Sequence, residues 1–304
     1  MQTSSANSFP QRNVVLIVAW AVTLLVSTLP TILLNELGSG VPDWLFWVQV
    51  AFIAVILALT FLWKAIKPLA AYFIVILVLF LAEWGLQNWL GESSLWKSWF
   101  SSAAFTSSML SMQILRFGVA LIMIAAMLVI KKQRSAFFLV KGDLSAIAEP
   151  IPLLMNKAEP WSKLGPTLAL FISLGTLVFL VLSSRPTLDV LARTLPFLPL
   201  VLLFAAMNAF SEEMNYKASF LSVLHDVVGK DQSLLLIAAF FGIGHYYGVP
   251  YGIVGVLMAG FLGWLLGKSM LETKGFVWAW FIHFLQDVLI FSFMAIGSIA
   301  AGGG

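Results

Sequence analysis

The chain has 304 residues, 61% of them hydrophobic and only 10% charged. It holds many apolar runs near the roughly 20 residues that a helix needs to cross a bilayer, and this predicts an all-α polytopic membrane protein. The absence of cysteine excludes disulfides, thiolate metal sites and a cysteine nucleophile. A net charge of +3 does not point to nucleic acid, because the basic residues lie in short loops between apolar runs, where membrane orientation accounts for them.

Residues 1–12 are polar and are expected to be disordered. The apolar run behind them is too long for a signal-peptide core and lacks a small-residue cleavage pattern, so it reads as a retained first span. Nine apolar runs follow one another at 14–34, 44–63, 69–90, 113–130, 164–183, 195–228, 232–247, 251–267 and 276–299. Each is expected to be a helix, since an open sheet edge cannot be satisfied in lipid. With a cytoplasmic N-terminus, nine spans place the C-terminus outside. The inside segments then hold most of the basic residues, among them Lys64, Lys67, Lys131, Lys132, Lys230, Lys268 and Lys274, while Lys97, Arg185 and Arg193 lie outside. That asymmetry satisfies the positive-inside rule, with Arg116 left at the entrance to the fourth span.

Residues 13–130 read as an accessory transmembrane bundle. Within it, segment 94–112 is rich in Ser and aromatic residues, too polar to span, and expected to be interfacial or re-entrant. Residues 131–163 carry AEPIPLL and read as a cytoplasmic linker. Residues 164–304 read as the C-terminal core region, which contains a four-helix core formed by the last four runs. Its eighth run places Gly255, Ala259, Gly263 and Gly267 at four-residue steps, a small face on which a neighbouring helix can pack closely.

The sixth run contains MNAFSEEMNYK, Met207 to Lys217. A helix there carries two adjacent carboxylates into hydrocarbon, where each charge costs about 2.5–3.5 kcal/mol. Glu213 and Lys217 are four apart, with the acid on the N-terminal side, and form a favourable helical ion pair. Glu212 points about 100° away around the helix and is left as a spare carboxylate. The seventh run holds His245, and the ninth holds His283 and Asp287, four apart on one helix face. At 1.5 Å per residue from the cytoplasmic ends, Glu212 lies about 24 Å in, His245 about 20 Å, His283 about 12 Å and Asp287 about 18 Å. The four can converge on one site.

A carboxylate and two imidazoles in a low-dielectric cavity suit attack by water on an amide. Glu212 would take a proton from water, His245 would hold that water or relay its proton, and His283 would stabilise the oxyanion. The same Glu212, His245, His283 and Asp287 could instead ligate a divalent metal such as zinc. The residues alone leave both open. A proton-coupled transporter or proton relay is the rival from another class, because buried Glu, His and Asp chains also mark ion pathways. His225-Asp226, at a helix end, and Glu83, beside Trp84 and Trp89, are expected to reach the membrane interface.

The order Glu212-Glu213-x-x-x-Lys217, Phe241-x-x-x-His245 and His283-x-x-x-Asp287 resembles the CAAX-protease and bacteriocin-processing (CPBP or ABI) family of intramembrane endopeptidases, over roughly Leu195 to Phe293. The resemblance implies an all-helical protease acting on a membrane-associated or lipid-modified protein or peptide. Glu212 then matches the catalytic base, His245 its partner on the water, His283 with Asp287 the oxyanion-side pair, and Glu213 a second, structural glutamate. It also implies a cell membrane, in a bacterial setting, and admits either a divalent metal or none. A non-catalytic immunity or scaffold protein on the same fold is a third reading. Two positions depart from the family pattern. Lys217 replaces an arginine, which keeps the charge without the planar fork. Asp287 stands where several members have asparagine, and an ionised aspartate cannot donate to an oxyanion.

Overall fold

The computed structural model describes residues 9–102, 104–151 and 155–302. The disorder expected over 1–12 therefore lies, for residues 1–8, outside the described residues, while helix α1 (Phe9–Val26) already begins at Phe9. A bend of 53° separates α1 from α2 (Leu29–Glu36). Pro30, in the first turn of α2, has no N–H to return to the α1 carbonyls, so the helix restarts there. α3 (Leu45–Leu62) and α4 (Ala70–Glu83) follow, and α4 runs on as a π-helical segment, Trp84–Leu90.

Segment 94–112 divides in two. Ser94–Trp99 is a short helix, α5, capped by the Ser93 hydroxyl, which accepts the Trp96 N–H. From Phe105 onward the chain already belongs to α6 (Phe105–Lys131). The stretch to residue 160 carries a 3₁₀ turn at Arg134–Phe137 and a two-stranded antiparallel ribbon, β1 (Ile147–Ala148) with β2 (Glu159–Pro160). α7 (Trp161–Ser184) and α8 (Leu188–Thr194) lead to α9 (Leu198–Glu212), a second π-helical segment at Glu213–Ala218, and α10 (Ser219–Val228). Gly229, at φ +87°, supplies the turn into α11 (Lys230–Gly244) that an L-residue with a Cβ disfavours. α12 (Ile253–Thr273) and α13 (Val277–Ala300) complete the chain.

The all-α polytopic class is borne out, with a different count. Among the described residues seven helical stretches are long and apolar enough to cross a membrane, or eight if the bent α1–α2 pair is one span, against nine apolar runs. The seventh run forms α11, which at 15 residues is about 22 Å long. It nevertheless joins the two ends of the bundle. Lys230 at its start meets Glu149 and Glu272. In the loop after it, the Tyr247 hydroxyl accepts from Asn35, and Tyr251 donates to Glu36.

One apolar core runs through both halves of the chain and includes Val15, Tyr72, Phe73, Met123, Phe220, Leu265 and Met270. The Tyr72 hydroxyl is 2.7 Å from that of Thr23, and its ring meets Phe220 edge-on at 5.5 Å. α7 shows the opposite face of the same logic, with Leu170, Phe171 and Leu182 about two-thirds exposed, as a lipid-facing helix requires. At the end of the bundle where α11 begins, the buried Glu272 carboxylate accepts from Trp161 Nε1 at 2.9 Å, lies 3.1 Å from Lys230 and pairs with Lys268. The Lys230 ammonium, 2.6 Å from Glu149, holds that carboxyl below the usual range. Partial burial opposes the Lys230 charge, yet its bonds to Glu149 and Glu272 outweigh that and raise it.

Candidate active site

α9, the π-helical turn and α10 form one continuous helix whose bonding widens to i→i+5 at Glu213–Ala218, a local rearrangement often found at functional sites. The two glutamates part at that junction. Glu213 points into the protein, its side chain fully buried, and its Oε1 lies 2.8 Å from Lys217 Nζ and 2.7 Å from His283 Nδ1. Lys217 Nζ sits 3.4 Å over the centre of the Phe241 ring. The first residue of Phe-x-x-x-His thus caps the cation of the glutamate motif. An ion pair to one oxygen and a cation–π contact replace the fork that an arginine would offer.

Glu212 is 13% exposed, and its two oxygens have different surroundings. Oε1 accepts from Arg116 Nη1 at 3.3 Å and Asn208 Nδ2 at 3.2 Å, while Oε2 lies 3.6 Å from His283 Nε2. Asp287 Oδ2 accepts from Asn208 Nδ2 at 3.0 Å and stands 3.7 Å from His283 Nε2. A carboxylate only accepts, so the Nδ1 that faces Glu213 carries a hydrogen. Nε2 is aimed between Glu212 and Asp287, at separations too long for a direct bond but suited to a shared water or substrate oxygen.

Four of the five residues singled out from the sequence, Glu212, Glu213, His283 and Asp287, meet directly. His245 stands one step away. It is at the C-terminal end of α11, where its Nδ1 lies 2.8 Å from the Phe241 carbonyl and its ring is 4.3 Å from the Phe241 ring. Among the described residues it makes no hydrogen bond to Glu212, Lys217 or His283. Phe241, edge-on to His283 at 6.1 Å, is the wall between the two imidazoles. His225 pairs with the exposed Asp226 at 3.0 Å, away from this cluster. Glu83 accepts a short hydrogen bond from Tyr216, in the π-helical turn, a partner that its place in the sequence does not suggest.

Three participants were not anticipated from sequence: Asn208, one turn before Glu212, and Gln113 and Arg116 on α6. Asn208 Oδ1 accepts from Arg116 Nη1 at 2.6 Å and from Gln113 Nε2 at 3.4 Å. The spacing of Asn208 and Glu212, four apart, was the available signal.

The donor set does not fit a divalent ion. Among the described residues no three His, Asp or Glu side chains are grouped so that they could hold one. His283 Nδ1 is committed to Glu213, and Arg116 and Lys217 already bring two cations to the glutamates.

Residues 194–289 match the family model described as Type II CAAX prenyl endopeptidase Rce1-like. No curated protein and no solved structure matches the chain. The matched segment runs from the end of α8 into α13 and contains all three motifs, so this part of the chain is similar to an Rce1-like domain, consistent with the CPBP family of intramembrane endopeptidases.

Proposed function

We propose that the protein is an intramembrane endopeptidase that hydrolyses a peptide bond of a membrane-associated or lipid-modified protein, with Glu212 as general base. The observation that carries this reading is the clamp on His283, held through Nδ1 at 2.7 Å by Glu213 while Nε2 faces Glu212 Oε2 at 3.6 Å and Asp287 at 3.7 Å. Glu212 takes a proton from water as the oxygen attacks the carbonyl carbon. In its doubly protonated form His283 donates through Nε2 to the developing oxyanion, a contact worth about 10²–10³ in turnover. Collapse of the tetrahedral intermediate breaks the C–N bond, and the proton held by Glu212 passes to the leaving amine. Asp287 orients Nε2 and does not itself donate, which accommodates aspartate where relatives have asparagine. His245 acts on the water through Nε2, the ring nitrogen that is not engaged with the Phe241 carbonyl. No step needs a metal.

The domain layout belongs to the same proposal, with an accessory bundle before the linker at 131–163 and the protease core after it. So does an N-in, C-out orientation in a bacterial cell membrane. In support, Glu149, Lys230 and Glu272 from segments expected inside meet at one end, while Asn35 with Tyr247 and Arg193 with the Ile299 carbonyl pair segments expected outside. Comparing peptide termini in membranes from cells carrying wild-type protein or Glu212→Gln, at matched levels, tests the reading. Termini present only with wild type are expected. Identical termini, in cells that need the protein, would overturn it in favour of a transporter or a scaffold.

A further inference from the structure

Asn208 has four hydrogen-bonding capacities on its amide, two donors and two acceptor lone pairs, and all four are used. Oδ1 receives Arg116 Nη1 at 2.6 Å and Gln113 Nε2 at 3.4 Å; Nδ2 donates to Glu212 Oε1 at 3.2 Å and to Asp287 Oδ2 at 3.0 Å. The side chain is 4% exposed, and Gln113 is fully buried. Two donors on one side leave the amide a single orientation, with its hydrogens toward the carboxylates. One planar group therefore sets the separation of Glu212 from Asp287, the two carboxylates that flank His283 Nε2 at 3.6 and 3.7 Å.

The orienting groups come from outside the matched segment, which begins at residue 194. Arg116 and Gln113 lie on α6, one turn apart. Arg116 Nη1 is bonded to both Asn208 Oδ1 and Glu212 Oε1, so it fixes the amide and the carboxylate with the same nitrogen. Lys217 is occupied with Glu213 and Phe241. Within this cluster Arg116 is the cation bonded to Glu212.

We propose that Arg116 and Asn208 form a positioning bracket that holds Glu212 and Asp287 on either side of His283 Nε2, so that α6 is a working part of the catalytic site. This rests on the endopeptidase reading above. Both residues contact Glu212 at Oε1 and leave Oε2, on the His283 side, as the oxygen that takes the proton. Both act through the carboxylates, and a misplacement of about 1 Å at such a site costs about 10² in rate.

The test uses the full-length protein in lipid nanodiscs and, as probe, a synthetic peptide spanning a terminus that Glu212→Gln removes from membranes. Arg116→Gln and the near-isosteric Asn208→Leu are each expected to lower kcat about 10²-fold with KM unchanged. Their double variant should be no slower than the slower single, because the two act as one unit. Arg116→Lys should recover part of the loss, since an ammonium restores the charge without the fork; it also keeps a cation in the site should Arg116→Gln unfold. Wild-type kcat in either single variant, alongside an inactive Glu212→Gln, would overturn the bracket and leave the protease reading standing. A raised KM with unchanged kcat would overturn it too, by making Arg116 a substrate-binding group. Full activity in Glu212→Gln would instead overturn the protease reading and the bracket with it.

Discussion

Lys217→Met isolates the interaction on which the buried glutamate depends. Glu213 and Lys217 are both fully buried, 2.8 Å apart, and Glu213 Oε2 has no hydrogen-bond partner among the described residues. Removing the ammonium leaves the carboxylate with the His283 ring alone, at 2.7 Å. Truncating one partner of a buried pair costs about 3–5 kcal/mol, and the lost contact with Phe241 adds up to about 2 kcal/mol. A loss of at least about 3 kcal/mol is therefore expected in equilibrium unfolding in mixed micelles, followed by tryptophan fluorescence. The double variant Glu213→Gln/Lys217→Met should recover most of that loss, because a neutral amide still accepts from His283 Nδ1 and no charge is stranded. A single-variant loss below about 1 kcal/mol, the size of an exposed pair, would refute the reasoning. So would a double variant as unstable as the single one.

Tyr216→Phe removes the hydroxyl donor from the half-buried Glu83 and should cost about 0.5–1.5 kcal/mol in the same unfolding assay, the net contribution of one hydrogen bond. In Gly242→Ala the new Cβ would stand 2.5 Å from the Val256 carbonyl oxygen and 2.9 Å from Gly260 Cα. Both neighbours are backbone, so α11 and α12 must separate. A loss of about 1–3 kcal/mol and slower cleavage are expected, since Phe241 is the adjacent residue. Lys230→Met should cost about 0.2–1 kcal/mol near neutrality, as befits a partly exposed pair, and the deficit should depend on pH. Glu149 lies below its ordinary value of 4.5, so its share is present above that value and fades as pH falls through the depressed one. Lys230 lies above its ordinary 10.5, so its share is full below that value and fades as pH rises through the raised one. Unfolding measured across pH should show the gap between wild type and Lys230→Met narrowing at both extremes.

The parts of the site that were legible in the sequence were those that carry a cost in lipid. Glu212, Glu213 and Lys217 interrupt an apolar run, and His283 and Asp287 share a helix face, so their convergence could be expected from charge and period alone. Asn208 bears no formal charge and hides in the same run. Arg116 falls at the mouth of the fourth apolar run, which starts at residue 113, whereas α6 begins at Phe105. Its Ser-rich first turns lower the local hydropathy without ending the helix, and they place Arg116 well inside it. The π-helical turn at Glu213–Ala218 left no trace in composition, since what marks it is backbone bonding. Glu83 lies beside tryptophans that favour the interface, yet its partner is Tyr216, 133 positions away, a pairing that only tertiary packing creates. The span count differed for a related reason. α11 has 15 residues and fails the length expected of a span, although its two ends meet opposite ends of the bundle.

The central claim is that Glu212 activates water against a peptide bond. Its most direct test is cleavage by purified protein in nanodiscs, in heavy-oxygen water, of a peptide spanning a terminus that Glu212→Gln removes in cells. Wild-type protein should cut the peptide and place one solvent oxygen in the new carboxyl terminus. Glu212→Gln, folded to the same stability, should be slower by at least about 10²–10⁴-fold. Cleavage by Glu212→Gln at the wild-type rate, or a product without solvent oxygen, would contradict the account.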